Sequence, residues 1–295
     1  MNEYKVWLAK IVTLVVLFLF VAPLVAGGIA AVIAKEPGVG SPVAVVELHG
    51  VIEDATEVLG TLYKQAADSS VAAIVLRIDS PGGAVGPSEE IYNAVKRLKS
   101  EKPIVVSMGS VAASGGLYSA LGASRILCQP GTQTGSIGVV MQVPNFTNIA
   151  DKVGFTMVTV KSGALKDVGN PFRPMSDSDR AFLEGTAAKV HNAFIKAVSE
   201  GRSIPEEKVR QFADGRVIIG SEAKELGLVD DFGDVYDAAR EALKLAKVEL
   251  PADELPKLVY ANKKKGNLAK LLESATSLPE ILSKGVVPTF QYLAY

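Results

Sequence analysis

Three short runs, "VAVVEL" at 43–48, "AAIVLRI" at 72–78 and "PIVVSM" at 103–108, are apolar almost throughout. Runs of this length and texture read as buried strands. Helical patterns separate them. The first, "TEVLGTLYKQAAD" (56–68), sets Val58, Leu59, Leu62 and Tyr63 at helical intervals. The second, "PSEEIYNAVKRLK" (87–99), reads with acids in its first turn and bases in its last, as the helix dipole favours. Strand, helix, strand is a parallel unit, and its repetition places the chain in the α/β class. The alternation continues through strands "RILC" (125–128) and "SIGVVM" (136–141), helix "NFTNIADKVG" (145–154) and strand "TMVTVK" (156–161).

A long helix follows. Ser176 stands three residues before Asp179 in a capping-box spacing, and Phe182, Leu183, Ala187, Val190, Phe194 and Val198 recur at helical intervals. Beyond it, "GRVIIGSEAKELGLVDDFG" (215–233) suggests a strand and a short helix, and "VYDAAREALKLA" (235–246) follows.

Upstream, Ile11–Ala34 contains no ionisable residue and is long enough for a helix to cross the roughly 30 Å hydrocarbon core. It reads as a membrane anchor. A cleaved signal peptide is the rival, with small residues near Ala31 and Ala34. Lys5 and Lys10 precede the run, while Lys35 is balanced by Glu36, so the N-terminus is expected in the cytoplasm and the rest across the cell membrane. The expected organisation is a cytoplasmic N-terminus (1–10), a single anchor (11–34), a Gly/Pro linker (35–42), a catalytic domain (43–250) and a C-terminal extension with an apolar tail (251–295).

Composition excludes some functions. Lys+Arg 31 against Asp+Glu 32 leaves no broad basic surface for nucleic acid. One cysteine, Cys128, allows neither an internal disulfide nor a multi-thiolate metal site, and "RILCQ" marks it as buried filler.

The chemistry is sought in three glycine-containing loops that follow strands: "DSPGGAV" (79–85), "AASGGLY" (112–118) and "TGSIG" (134–138). In a parallel sheet such loops gather at one edge. Paired glycines either make tight turns or turn amides outward as an oxyanion hole. Ser114 is equally ambiguous on spacing: it can cap the helix begun by "LYSALG" or act as a nucleophile, and the literal G-x-S-x-G elbow is absent. A nucleophile needs a base. The two histidines, His49 at a strand end and His191 within the long helix, lack an evident orienting acid. A lysine serves instead if its site disfavours the cation by about 4 kcal/mol, bringing the pKa from ~10.4 to ~7.4. "VKSGALKDVGNPF" (160–172) offers Lys161 and Lys166, the second preceded by small and apolar residues.

With "DSPGG", "SVAASGGLY", "TGSIGVV" and "KSGALKDVGNPFR" in this order, the chain closely resembles the signal peptide peptidase A family from about Val43 to Leu245. These are membrane-bound serine proteases of a Clp protease/crotonase-like fold. The resemblance implies Ser114 as nucleophile, Lys166 as general base, Ser136 as the hydroxyl that orients the lysine, and the amides of Gly83 and Gly115 as the oxyanion hole, with no metal or cofactor. One copy of each motif resembles the short form of the family, so a homo-oligomer of neighbouring protomers is implied. Asp79 stands where Asn is frequent in the family and is expected to point away from the oxyanion site. The implied substrates are remnant signal peptides, read by a shallow apolar pocket for small or aliphatic side chains. The tail "PTFQYLAY" is expected to pack on a neighbour or lie in the substrate groove. A crotonase-like acyl-CoA enzyme and a membrane scaffold without catalysis are the rival readings.

Overall fold

The computed structural model describes residues 42–261 and 291–294. The expected anchor, the residues before it and nearly all of the linker lie outside the described residues, as does most of the C-terminal extension beyond 261. No helix among the described residues is long and apolar enough to cross a membrane.

The chain opens with strand β1 (Val43–His49), helix α1 (Thr56–Ala67), strand β2 (Ala73–Ser80), the short strand β3 (Gly82–Ala84), helix α2 (Val85–Leu98) and strand β4 (Ile104–Ala112). β2 lies parallel between β1 and β4, the expected strand-helix-strand repeat. Helix α3 (Gly115–Ala120), strands β5 (Arg125–Cys128) and β6 (Gln133–Gly135) and helix α4 (Thr147–Lys152) follow. Then come α5 (Asp177–Arg202), α6 (Glu206–Arg210), β7 (Val217–Ile219), α7 (Gly220–Glu225), β8 (Asp231–Phe232), α8 (Val235–Leu245) and β9 (Leu258–Tyr260). The last described strand, β10 (Gln291–Leu293), pairs with β3 rather than with the main sheet. The main sheet runs β7-β6-β4-β2-β1-β9, with β5 and β8 branching from β4.

Both faces of the central strands are covered, which is why their sequences are apolar without alternation. On one face Val46, Leu48, Ile74, Leu76 and Val106 pack with Leu62 of α1, Ile91 and Val95 of α2 and Phe194 of α5. On the other, Val43, Val45, Val75 and Val105 meet Ala238, Ala239 and Ala242 of α8. β4 serves two neighbours in succession: Val105–Ser107 pair with β5, and Val111 pairs with Gln133 of β6. Between these two stretches, the β2–β4 pairing shifts register between Ile78 and Ser80.

Several expected elements are redrawn. "SIGVVM" is not a strand, because Gly135 and Ser136 take φ values of 71° and 50° and turn the chain out of the ladder. Only Val140 makes a bridge, to Gln291. "TMVTVK" has no ladder partner among the described residues, and Val158 and Val160 are 84% and 94% exposed. Helix α2 starts at Val85, so Glu89 and Glu90 fall beyond its first turn. The capping box of α5 forms as expected, but the outer part of its apolar stripe stays open, with Phe182 exposed while Phe194 and Val198 are buried.

Candidate active site

Ser114 stands two residues past the end of β4, at the carboxyl edge of the parallel sheet. The backbone there is fixed from both sides: Ala113 N donates to Ser80 O (3.1 Å) at the end of β2, and Ser114 N donates to Gly135 O (2.9 Å) at the end of β6. These bonds draw the three glycine loops together. Held this way, Ser114 has φ 52° and ψ −116°, a region that costs a residue with a Cβ about 1–3 kcal/mol. Although Ser114 is the N-cap residue of α3, its side chain makes no capping bond. Its Oγ is buried without a hydrogen-bond partner among the described residues, and the residue is 1% exposed. A buried hydroxyl left unpaired is costly where folding alone decides.

Beside it two amides converge. A Cβ built on Gly115 would stand 3.1 Å from Gly83 N and 2.5 Å from Ser88 Oγ, and one on Gly82 would stand 2.7 Å from Gly115 N. Gly82 also has φ 102°. Only glycine lets these backbones approach so closely. Ser136, the residue after Gly135, is buried, and its N donates to Arg216 O at 2.7 Å. Asp79 is turned along β4, where Oδ1 accepts from Val111 N at 3.1 Å. Thus Ser114, Gly83, Gly115 and Ser136 come together at one sheet edge.

Lys166 is not brought to them in the single chain. It lies on an exposed segment, with its amide bonded to Gly163 O (3.1 Å), and Ser114 Oγ has no partner. The segment is nonetheless braced. Asp167 accepts from Lys161 Nζ (2.6 Å) and Arg173 Nε (2.7 Å), and Arg173 also donates to Asp179 in the α5 capping box. The bonds from Arg173 and then Lys161 hold the Asp167 carboxyl down at about 2. Around this segment Ile149, Val153, Phe155, Met157, Val158, Val160 and Leu165 are exposed.

The other candidates fall elsewhere. His49 is exposed, with Nε2 3.2 Å from Glu47 Oε1 on the same strand. His191 is half-buried in α5, and its Nε2 is without a hydrogen-bond partner among the described residues. Burial pushes the Cys128 thiol up to about 11, as suits packing rather than reactivity. No group of three or more His, Cys, Asp or Glu among the described residues could hold a metal ion.

One part of the site escaped sequence reasoning. Tyr118 of α3, Phe194 of α5 and Tyr292 of β10 form a ring cluster, with centroids 4.9 Å (Tyr118–Phe194), 5.1 Å (Tyr118–Tyr292) and 4.7 Å (Phe194–Tyr292) apart. Burial raises the hydroxyl pKa values of Tyr118 and Tyr292, and burial likewise raises that of the neighbouring Glu89 carboxyl. The only local signal was the aromatic tail itself, and its partners lie far away in sequence.

Residues 96–249 match the family described as Peptidase family S49. A protein named as a protease in Synechocystis sp. is 39% identical over 222 residues, covering 73% of this chain and 80% of the relative. A protein named as a protease in Methanocaldococcus jannaschii is 34% identical, over 68% of this chain and 64% of its own. One named as a signal peptide peptidase SppA in Enterococcus faecium is 35% identical, over 63% of this chain and 56% of its own. The chain thus spans less than two thirds of the second and third relatives.

Proposed function

Because the chain belongs to peptidase family S49, the signal peptide peptidase A family, and is a serine peptidase, we propose that Ser114 and Lys166 form its catalytic dyad. The observation that carries this reading is the buried, unpartnered Ser114 Oγ beside the amides of Gly83 and Gly115. The Lys166 amine accepts the hydroxyl proton as Oγ attacks a peptide carbonyl, and the two amides stabilise the resulting oxyanion. The lysine then gives its proton to the leaving amine and activates the water that releases the acyl chain. Ser136 orients the lysine. The proposed substrates are remnant signal peptides, and the apolar run Ile11–Ala34 would anchor the enzyme in the cell membrane beside them, with its catalytic domain on the non-cytoplasmic side.

Assembly completes the site in this reading. The exposed apolar residues around Lys166 form a surface that a neighbouring protomer would cover. Covering it would bring a Lys166 amine to a Ser114 hydroxyl, within or between subunits.

The test is cleavage of an unstructured peptide by the full chain, with Ser114→Ala and Lys166→Ala as comparisons and fluorophosphonate labelling as a second readout. Each substitution is expected to lower kcat by about 10⁴-fold or more, and only chains with Ser114 should be labelled. Turnover of an acyl-CoA that survives Ser114→Ala would favour the crotonase-like alternative instead. A purified oligomer that neither cleaves nor labels would favour the scaffold.

A further inference from the structure

Among the described residues, four that carry a Cβ take φ values between 50° and 57°: Ser114, Ser136, Ser203 and Lys247. Ser203 and Lys247 stand at the ends of helices α5 and α8, where such a turn is common. Ser114 and Ser136 end no helix. Each stands just past a strand, β4 and β6 respectively, and the surrounding bonds must hold both turns against their torsional cost.

The main-chain ladder between those two strands is too short to do so. Among the described residues β4 and β6 share one pair, Val111 with Gln133. Two buried threonines flank it. Thr132 Oγ1 donates to Gly109 O at 2.9 Å, and Thr134 Oγ1 donates to Ala112 O at 2.7 Å, so each adds a side-chain rung to the ladder. The two rungs are not equivalent. The Thr132 hydroxyl also accepts from Gln129 N at 3.0 Å, and so serves the turn before β6. The Thr134 bond joins matching positions, because Ala112 stands two residues before Ser114 and Thr134 two before Ser136. One step further on, Ser114 N donates to Gly135 O at 2.9 Å. A single bond lets two turns swing about it. Two successive bonds fix their relative orientation, and Thr134 supplies the first of them.

Resting on the dyad reading above, we propose that Thr134 is a positioning residue of the peptidase. Its hydroxyl fixes the Ser136 turn against the Ser114 turn, so that both serine hydroxyls stand where one lysine amine can meet them. Thr134 is fully buried and acts through the backbone rather than on the peptide. A displacement of about 1 Å at a reacting group costs about 10²-fold in rate, and freeing one of two rungs permits a shift of that order.

The test is cleavage of an unstructured peptide by the full chain bearing Thr134→Val, Thr134→Ser or Thr132→Val, with denaturant unfolding and fluorophosphonate labelling beside it. Valine keeps the branched shape and removes the hydroxyl. Thr134→Val should lower kcat about 10²-fold and slow labelling while KM stays within about threefold, since the loss falls on the geometry of the two serines. Serine restores the donor, so Thr134→Ser should bring kcat back to within about threefold of the original. Thr132→Val loses the other rung and should, like Thr134→Val, unfold at lower denaturant, yet its kcat should stay within about threefold. Should Thr134→Val not fold, Thr134→Ala takes its place with the same expectations. An unchanged kcat in Thr134→Val, an equal fall in Thr132→Val, or no rescue by serine overturns the proposal. The two readings fail separately. If the original chain cleaves and is labelled while Thr134→Val matches it, the positioning role alone falls. If the original chain neither cleaves nor is labelled at Ser114, the dyad falls and takes that role with it.

Discussion

Substituting Gly115→Ala tests the junction of the two amides with a single methyl group. The new Cβ would stand 2.5 Å from Ser88 Oγ, 3.1 Å from Gly83 N and 3.2 Å from Gly82 Cα. Ser88 cannot simply swing away, because its buried hydroxyl donates to Ala84 O at 2.8 Å. Either that bond is lost or the Gly82–Gly83 backbone retreats. Losing the bond costs about 1–3 kcal/mol if the hydroxyl stays unpaired, and overpacking of this kind costs a similar ~1–3 kcal/mol. If the two amides form the proposed oxyanion hole, the retreat harms chemistry more than folding, since losing one oxyanion donor lowers kcat about 10²–10³-fold. The assay pairs denaturant unfolding with peptide-cleavage kinetics on Gly115→Ala, Ser88→Ala and the double variant. Removing the Ser88 hydroxyl relieves the shortest contact, so the double variant should recover part of the stability lost by Gly115→Ala but little of its kcat. Wild-type kcat in Gly115→Ala would refute the claim that the two amides must approach this closely.

Three further outcomes follow from the electrostatics and packing. Asp167 has its folded-state pKa lowered to about 2, so its bracing contribution is full above the ordinary 3.8 and is lost as pH falls through about 2; hydrogen-exchange protection over 160–175, taken relative to the intrinsic rate at each pH, should hold at pH 4.5 and fall toward pH 2. Arg173→Gln leaves Asp167 and the buried Asp179 without their shared partner, and exchange should rise across Lys166 and the first turn of α5 while β2 and β4 keep their protection. Cys128, buried with its thiol pushed up to about 11, should resist iodoacetamide at pH 8 in the folded chain and react at once in denaturant; rapid alkylation of the native protein would contradict the packing of β5.

The central strands were legible because burial on two faces leaves a continuous apolar record, and β1, β2 and β4 carry it plainly. The start of α5 was legible because Ser176 and Asp179 satisfy each other's amides within four residues. Local texture misled where it resembled strand without a partner to pair with. Val158 and Val160 are β-branched and almost wholly exposed, and β propensity records packing more than backbone preference. The glycine loops signalled a site without revealing its geometry, since Ser114, Gly83 and Ser136 meet only through bonds between different strand ends. A place for the tail in the groove was among the expectations, but its strand partner was not legible: β10 joins Tyr292 to Gly83 across most of the domain, and nothing near either residue names the other.

The backbone at Ser114 carries a last consequence. With φ 52° and ψ −116°, the position suits glycine, and alanine there would bear the same torsional burden as serine. Ser114→Gly should therefore melt higher than Ser114→Ala, a trade-off in which the chain forgoes thermal resilience to keep the oxygen of the proposed nucleophile on a tense turn.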